Sequence, residues 1–369
     1  MTQDLFSKTS LGSLQLPNRM VMAPMSRSRA IDGGVPSQMM VEHYADRATA
    51  GLIISESAPV SQQGVGYPNT PGIFTPQQTS GWLRIMNSVR SKRGRMFAQL
   101  QHCGRISHPS HQEDNALPVA PSAMKPDGFA FTASGYQEFE TPRSLETSEI
   151  PDVVDQFRLA AKNAKDAGLD GVEVHGANGY LIDQFLRDGT NKRTDGYGGS
   201  VENRTRFLQE VIEAVTTVFP ADRVGVKLSP ENTFNGMSDS EPQQHFEKIV
   251  AAIADHGLAY LHVTEASMGI TGHIEGSAKD LDYRRLRSHF PGTYIANNGY
   301  NKADAIAAIQ SGHADLVAFG APFLANPDLV RRYREDLPLN AIDKATFYVG
   351  GKTGYNDYPF ADRDLMSAA

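Results

Sequence analysis

Residues 172–204 read VEVHGANGYLIDQFLRDGTNKRTDGYGGSVENR. Val172, Glu173 and Val174 continue a buried strand run, which stops at His175 and is followed by Asn178 and Tyr180, with Gly176, Ala177 and Gly179 packed between them. A strand that gathers polar residues at its exit and then gives way to a helix-period stretch is a βα unit with its chemistry at the strand's C-terminal end. The same pattern recurs along the chain. Eight strands are expected: Met20–Met25, Gly51–Pro59, Arg95–His102, Gly171–His175, Arg223–Ser229, Ala259–Thr264, Thr293–Asn297 and Ala314–Gly320. Amphipathic stretches lie between them, among them Ser37–Ala50, Pro151–Ala167 with a capping entry at Ser148–Pro151, and Val201–Val218. Eight such units without a break predict an α/β fold, a (β/α)8 TIM barrel forming one domain over residues 1–369; a doubly wound open sheet is the alternative. One step is long. From Cys103 to Ile150 the chain is polar and rich in Pro and Ser, with a hairpin expected near Gly128–Phe139, and insertions of that length commonly act as lids or substrate walls.

Composition narrows the function. The chain has 369 residues and a formal charge of −7, and it lacks any long run of Lys or Arg, so a nucleic-acid partner is not expected. Its one cysteine, Cys103, excludes an internal disulfide and any cluster held by several cysteines, which fits a reducing, cytoplasmic setting. No signal peptide and no run of 18 apolar residues is present, so no membrane contact is expected. His102, His108 and His111 near Cys103 bring no separate carboxylate, and no metal is expected there.

In a barrel of this kind the residues just past the strands converge on one cavity. Here they are Ser26, Ser57, Gln99, His102, His175, Asn178, Tyr180, Lys227, Asn298, Gly299 and Gly320. His175 and Asn178 can both donate to one oxygen and so polarise a carbonyl or nitro group. Tyr180 is a phenol, with an ordinary pKa of ~10, that still holds a proton at neutral pH to give to a carbanion. The bland alternative makes His175 a cap for the following helix. The amide of Gln99 matches the donor–acceptor edge of a heterocycle, and the cation of Lys227 suits an anionic reduced flavin; Lys227 could equally form an interior ion pair with Glu173 or Glu56. The segments ANNGYNKADA and AFGAPFLANPDLV have the form of phosphate-binding turns after strands seven and eight.

LPNRMVMAPMSR, AGLIISE, FAQLQHCGR, the 175–204 segment, the LANPDL stretch and GYNDYP together resemble the Old Yellow Enzyme family of FMN-dependent ene-reductases, over nearly the whole chain. The resemblance implies bound FMN held by Ala23, Pro24, Met25, Ser26, Ser57, Gln99, Lys227, Asn298, Gly299, Gly320 and Ala321. It implies a substrate site of Tyr67, Gln101, His175, Asn178 and Tyr355, with Tyr180 as proton donor. Three positions depart from the family: Gln101 stands where Trp is frequent, Lys227 where Arg is usual, and Ala321 where an Arg usually meets the FMN phosphate.

The implied reaction has two halves. NADPH or NADH reduces FMN and leaves, then an activated alkene enters, accepts hydride at Cβ from flavin N5 and a proton at Cα from Tyr180. Enones, unsaturated aldehydes and imides, nitroalkenes and nitrate esters are the implied substrates, for a monomer or homodimer. A non-catalytic flavin sensor or store, or another flavin dehydrogenase of the same fold, is the competing reading.

Overall fold

The computed structural model describes residues 4–266, 280–348 and 350–361. All eight runs expected as strands are strands: β1 Met20–Met22, β2 Leu52–Pro59, β3 Met96–Gln101, β4 Gly171–Gly176, β5 Val224–Leu228, β6 Tyr260–Thr264, β7 Thr293–Asn297 and β8 Leu316–Phe319. They pair in parallel, in chain order, and β8 pairs with β1, so the sheet closes into a barrel and has no edge. The outer helices include α1 Gln38–Asp46, α2 Pro76–Ser91, α3 Ile150–Asp166, α4 Val201–Thr216, α5 Pro242–Ile253, α6 Tyr283–Ser288, α7 Lys302–Gln310 and α8 Leu329–Arg334. This is the (β/α)8 TIM barrel, not the open sheet.

Alternation along the strands divides the side chains between two cores. Val172 and Val174 of β4 join the large apolar layer between sheet and helices, with Phe157 of α3 and Phe207 of α4. The interior layer contains Val21, Ala23, Leu52, Ile54, Phe97, Tyr260, Ile295, Leu316 and Ala318. It is sealed by a feature absent from the sequence reading, an antiparallel hairpin of Thr9–Leu11 and Leu14–Leu16 whose Leu11, Leu14 and Leu16 plug the barrel's N-terminal end. Each fully buried leucine of this kind contributes roughly 1.5–3 kcal/mol of transfer free energy.

One strand breaks its period. In β2 the register slips between Ile54, opposite Phe97, and Ser57, opposite Gln99, so three residues of β2 face two of β3. The extra residue re-aims the chain. Ile54 stays in the interior core, Ser57 meets Gln99, and Glu56 turns out toward Tyr44 of α1 and the Arg27 amide.

The expected hairpin in the insertion is Phe129–Thr132 against Gly135–Glu138, and Val119–Ala120 pairs in parallel with Arg143–Ser144. The entry to α3 differs from expectation. Ser148 does not cap it; Glu146 and Glu149 form a reciprocal capping box around a 3₁₀ turn, which runs directly into α3 with Pro151 in its first turn. At α4 Ser200 accepts from the Asn203 amide, and Arg204 donates to the carbonyls of Leu186 and Gly199, tying the Gly-rich loop down.

Candidate active site

The polar residues at the strand exits form one connected layer above the apolar interior. Glu173, fully buried, accepts from Gln99 Nε2 at 2.7 Å and pairs with His262 Nδ1 at 2.8 Å, joining β3, β4 and β6 across the barrel. Burial opposes its charge, but His262, Lys227 and Gln99 outweigh that and hold its pKa below the usual carboxylate value. Lys227 lies beside His175 in the β4–β5 register, and Glu173 is the group that favours its charge; burial lowers its pKa. Of the two carboxylates considered for Lys227, Glu173 is the relevant one. Glu56 belongs to a separate outward cluster, where burial pushes its carboxyl up to about 7.

Gln99 has capacity left for a ligand. Its Oε1 accepts from Ser57 Oγ at 2.5 Å and its Nε2 donates once, to Glu173, so one lone pair and one N–H remain. That is a donor–acceptor pair, the complement of a flavin pyrimidine edge. Pro24, Met25 and Ser26 after β1 are half-buried, and a Cβ at Gly320 would come within 3.2 Å of Met25 Sδ, so this close approach requires glycine or movement of the Met side chain. After β7, Asn298 and Gly299 take positive φ in succession, 93° and 77°, and Asn298 Nδ2 fixes the turn by donating to Glu265 O at 2.7 Å. Ala321 opens the short helix Ala321–Ala325. The buried cation that reaches that helix, Arg47 at the end of α1, is committed to the carbonyls of Phe323, Leu324 and His43 and does not replace the missing Arg. These residues fit FMN: a cation and an amide edge for the ring, and close turns at the ends of β7 and β8.

The segment after β4 is shaped by strain and by the motif around it. Asn178 has φ of 60° and Gly179 of 80°, two left-handed residues in succession, a conformation costly for most residues and tolerated by Asn. The turn is pinned by bonds from Asn178 N to Ser229 Oγ and from Asn235 Nδ2 to Asn178 O, both 2.8 Å. Asp183 accepts from the Gly179 amide, and Gln184 donates to Gly179 O and Cys103 O. Asp183 is itself held by Arg187 at 2.8 Å in a fully buried ion pair, and Arg187 also donates to Ser229 O and Pro230 O. The LIDQFLR stretch is therefore the brace that makes the turn.

The brace brings Tyr180 back over His175, with ring centroids 5.2 Å apart. His175 Nδ1 and Asn178 Oδ1 are buried without a protein partner among the described residues. Burial, then Lys227 and His262, drives the His175 pKa well below its ordinary value, so the imidazole is neutral. Tyr67 reaches in from the loop after β2, its hydroxyl 3.2 Å from that of Tyr180. Both rings pack on Ile106, Ala130 and Phe139, apolar residues of the insertion.

Other expected residues make the following contacts. Gln101 is buried with its Nε2 2.9 Å from Cys103 Sγ, which turns its amide toward the start of the insertion. Tyr355 is fully buried and stacks on His43 at 3.9 Å, with Arg27 and Arg29 over its ring, and its hydroxyl has no partner among the described residues. His102, His108 and His111 do not converge: they interact respectively with Gln63, Ser110 and the Phe131 carbonyl. Among the described residues the only cluster with metal-ligand spacing is Asp188, Asp239 and His245. Sequence reasoning passed over His262 altogether. Its signal was a histidine at an inward position of the apolar run AYLHVT, in register with Lys227.

A closed parallel barrel with a hydrogen-bonded polar layer of Ser57, Gln99, Glu173 and His262 suits a flavin oxidoreductase. The chain matches the NADH:flavin oxidoreductase / NADH oxidase family over residues 4–340. It is 42% identical to a putative 12-oxophytodienoate reductase 11 of Oryza sativa subsp. japonica, over 99% of both chains. Among solved structures it superposes on morphinone reductase with a TM-score of 0.93 at 44% identity, covering 98% of each chain; a second structure of that protein holds tetrahydroNAD. The old yellow enzyme homologue of Zymomonas mobilis gives 0.92 at 41% identity, over 96% of this chain and 99% of that one. The chain belongs to this flavin oxidoreductase family, in its Old Yellow Enzyme branch, and is an FMN-dependent ene-reductase that uses a nicotinamide cofactor. No helix among the described residues is long and apolar enough to cross a membrane.

Proposed function

We propose that the protein, as one barrel domain, reduces activated alkenes, with His175 and Asn178 binding the oxygen of the activating group and Tyr180 supplying the proton. The observation that carries this reading is the left-handed turn at Asn178–Gly179, which sets a neutral imidazole, an amide and a phenol together beside Lys227. Bound FMN supplies the hydride chemistry, taking two electrons from NADPH or NADH and passing them to the alkene.

The chain's own groups do the rest. His175 and Asn178 polarise an enone, imide or nitro oxygen, the asparagine through its Nδ2 N–H, and the buried, unpartnered His175 Nδ1 is what a site built for a ligand's polar group leaves behind. Tyr180, whose pKa burial and then Tyr67 raise well above the ordinary phenol value, remains protonated through the working pH range and gives its proton to the carbon α to that group. With FMN bound, Lys227 would stabilise negative charge on the ring and Gln99 and Ser57 would hold its edge. Ala23, Pro24, Met25 and Ser26 would line the ring site, and the turns at Asn298–Gly299 and Gly320–Ala321 would hold the phosphate. Tyr67 and Gln101 wall the substrate space.

The test is anaerobic. NADPH or NADH should bleach the yellow protein, and cyclohexenone should restore the colour with formation of cyclohexanone. A protein that bleaches but is not recoloured by any enone or nitroalkene is not an alkene reductase.

A further inference from the structure

Proton donation leaves Tyr180 as a phenolate in a place that does not suit one. The groups that weigh on it most, after burial itself, are Tyr67, Cys103 and Tyr348, and all three oppose the anion. Among the described residues its hydroxyl has one hydrogen-bond partner, Tyr67 Oη at 3.2 Å, and Tyr67 Oη has no other. Tyr67 also lines a groove, together with Gln62, Thr70, Gln78, Ser110 and His111. Its loop is fixed there, because Thr70 Oγ1 donates to Tyr67 O at 3.0 Å and Gln62 Nε2 to His111 O at 2.7 Å. Tyr67, half-buried, thus touches both the donor and the groove.

We propose that Tyr67 is the relay through which Tyr180 is reprotonated from the water of this groove. As the Tyr180 O–H proton goes to the substrate carbanion, the Tyr67 O–H proton passes in the same step to Tyr180 Oη, and a proton from bulk water then restores Tyr67. Each transfer breaks one O–H bond and makes one C–H or O–H bond, with no electron change. The relay rests on the alkene-reductase reading and assigns Tyr67 a task beyond walling the cavity.

A nitroalkene separates the steps, because hydride transfer produces a nitronate chromophore that disappears only when carbon is protonated. The reduced holoenzyme is mixed with nitroalkene in stopped flow, in mixtures of H₂O and D₂O. In Tyr67→Phe, which keeps the ring packed on Ile106, Ala130 and Phe139, nitronate decay should slow at least tenfold more than nitronate formation. The proton inventory of the decay should change from bowed to linear, since one transfer is removed. Tyr67→Phe added to Tyr180→Phe should slow decay no further. A variant whose decay keeps pace with its formation and whose inventory stays bowed overturns the relay. If the reduced wild type forms no nitronate, the alkene-reductase reading falls and the relay falls with it.

Discussion

Glu173 supplies the carboxylate of the polar layer, and replacing it by Gln measures what that layer costs. The substitution keeps size and one hydrogen-bonding oxygen but leaves Lys227 without its compensating charge and His262 without the carboxylate it pairs with. Removing one partner of a buried, hydrogen-bonded charge group typically costs about 3–5 kcal/mol, because the remaining charge is left in a low-dielectric site. For 369 residues the unfolding entropy is about 0.8 kcal/mol/K, so the melting temperature should fall by about 4–6 °C. The sign with pH follows from the depressed Glu173 pKa. Its contribution is present above the unfolded carboxylate value and is lost as pH falls through the folded value, so wild type and variant should converge in acid. Lys227→Met should offset part of the loss, because it removes the stranded cation; a coupling of ~0.5–3 kcal/mol is expected for groups in contact. Thermal and denaturant melts of the two single variants and the double, at pH 7 and at acid pH, read all of this. Strict additivity at pH 7, or an unchanged melting temperature in Glu173→Gln, would refute the view that this carboxylate neutralises Lys227.

Four further outcomes are expected. Ala321→Arg should tighten FMN binding by about ten- to a hundredfold through a charge-assisted contact worth ~1.5–3 kcal/mol, read by titration of apo-protein with FMN against riboflavin, which should not respond. His175→Ala and Asn178→Ala should each weaken the charge-transfer complex of a phenol such as p-hydroxybenzaldehyde by roughly 1.5–3 kcal/mol; undiminished affinity in both removes the pair from the oxygen site. Tyr180→Phe should leave flavin reduction by the nicotinamide nearly unchanged and slow enone reduction ~10²-fold or more. His43, His102, His175 and His262 are all held below their ordinary pKa by burial, so unfolding takes up protons below pH 6.5 and stability should fall toward acid by up to about 5 kcal/mol per pH unit; Glu56, raised to about 7, releases one proton and opposes this, and a flat profile between pH 7 and 5 would show the histidines to be solvated.

Most of the barrel was legible because its strands are apolar runs closed by Gly, Pro or polar residues, and strand ends missed by one to three residues do not alter which side chains exit at the top. The N-terminal plug was not legible: TSLGSLQL offers two strands of three residues, too short for any period to register. The bulge in β2 was hidden for a different reason. LIISESAP has no glycine and its one proline, Pro59, comes last, past the slip, which lets Glu56 leave the interior to reach Tyr44 and the Arg27 amide. The His175, Asn178 and Tyr180 group could be read from spacing alone. Its stiffness could not, since Asp183, Gln184 and Arg187 look like helix residues and act as braces only through Gly179, Cys103 and Ser229. Tyr355 shows the reverse case, a residue carried by resemblance whose contacts here are with His43, Arg27 and Arg29.

The placement of charge in the layer follows from what each step of an alkene reduction requires. Lys227 and His175 are adjacent in register, and the lysine makes charge on the histidine less favourable; Glu173 favours charge on the lysine, while burial and Lys227 hold the histidine neutral. A charged His175 would hold a substrate oxyanion tightly and disfavour return of the electron pair to carbon when Tyr180 delivers its proton. A neutral one polarises the oxygen through a hydrogen bond and releases the product. On the proposed reading the full positive charge would lie on the ring side and the substrate side would carry only dipoles and a phenol. Exchanging the two, by raising the His175 pKa through Lys227→Met, should strengthen phenolate binding while slowing turnover, a split that loss of packing alone would not produce.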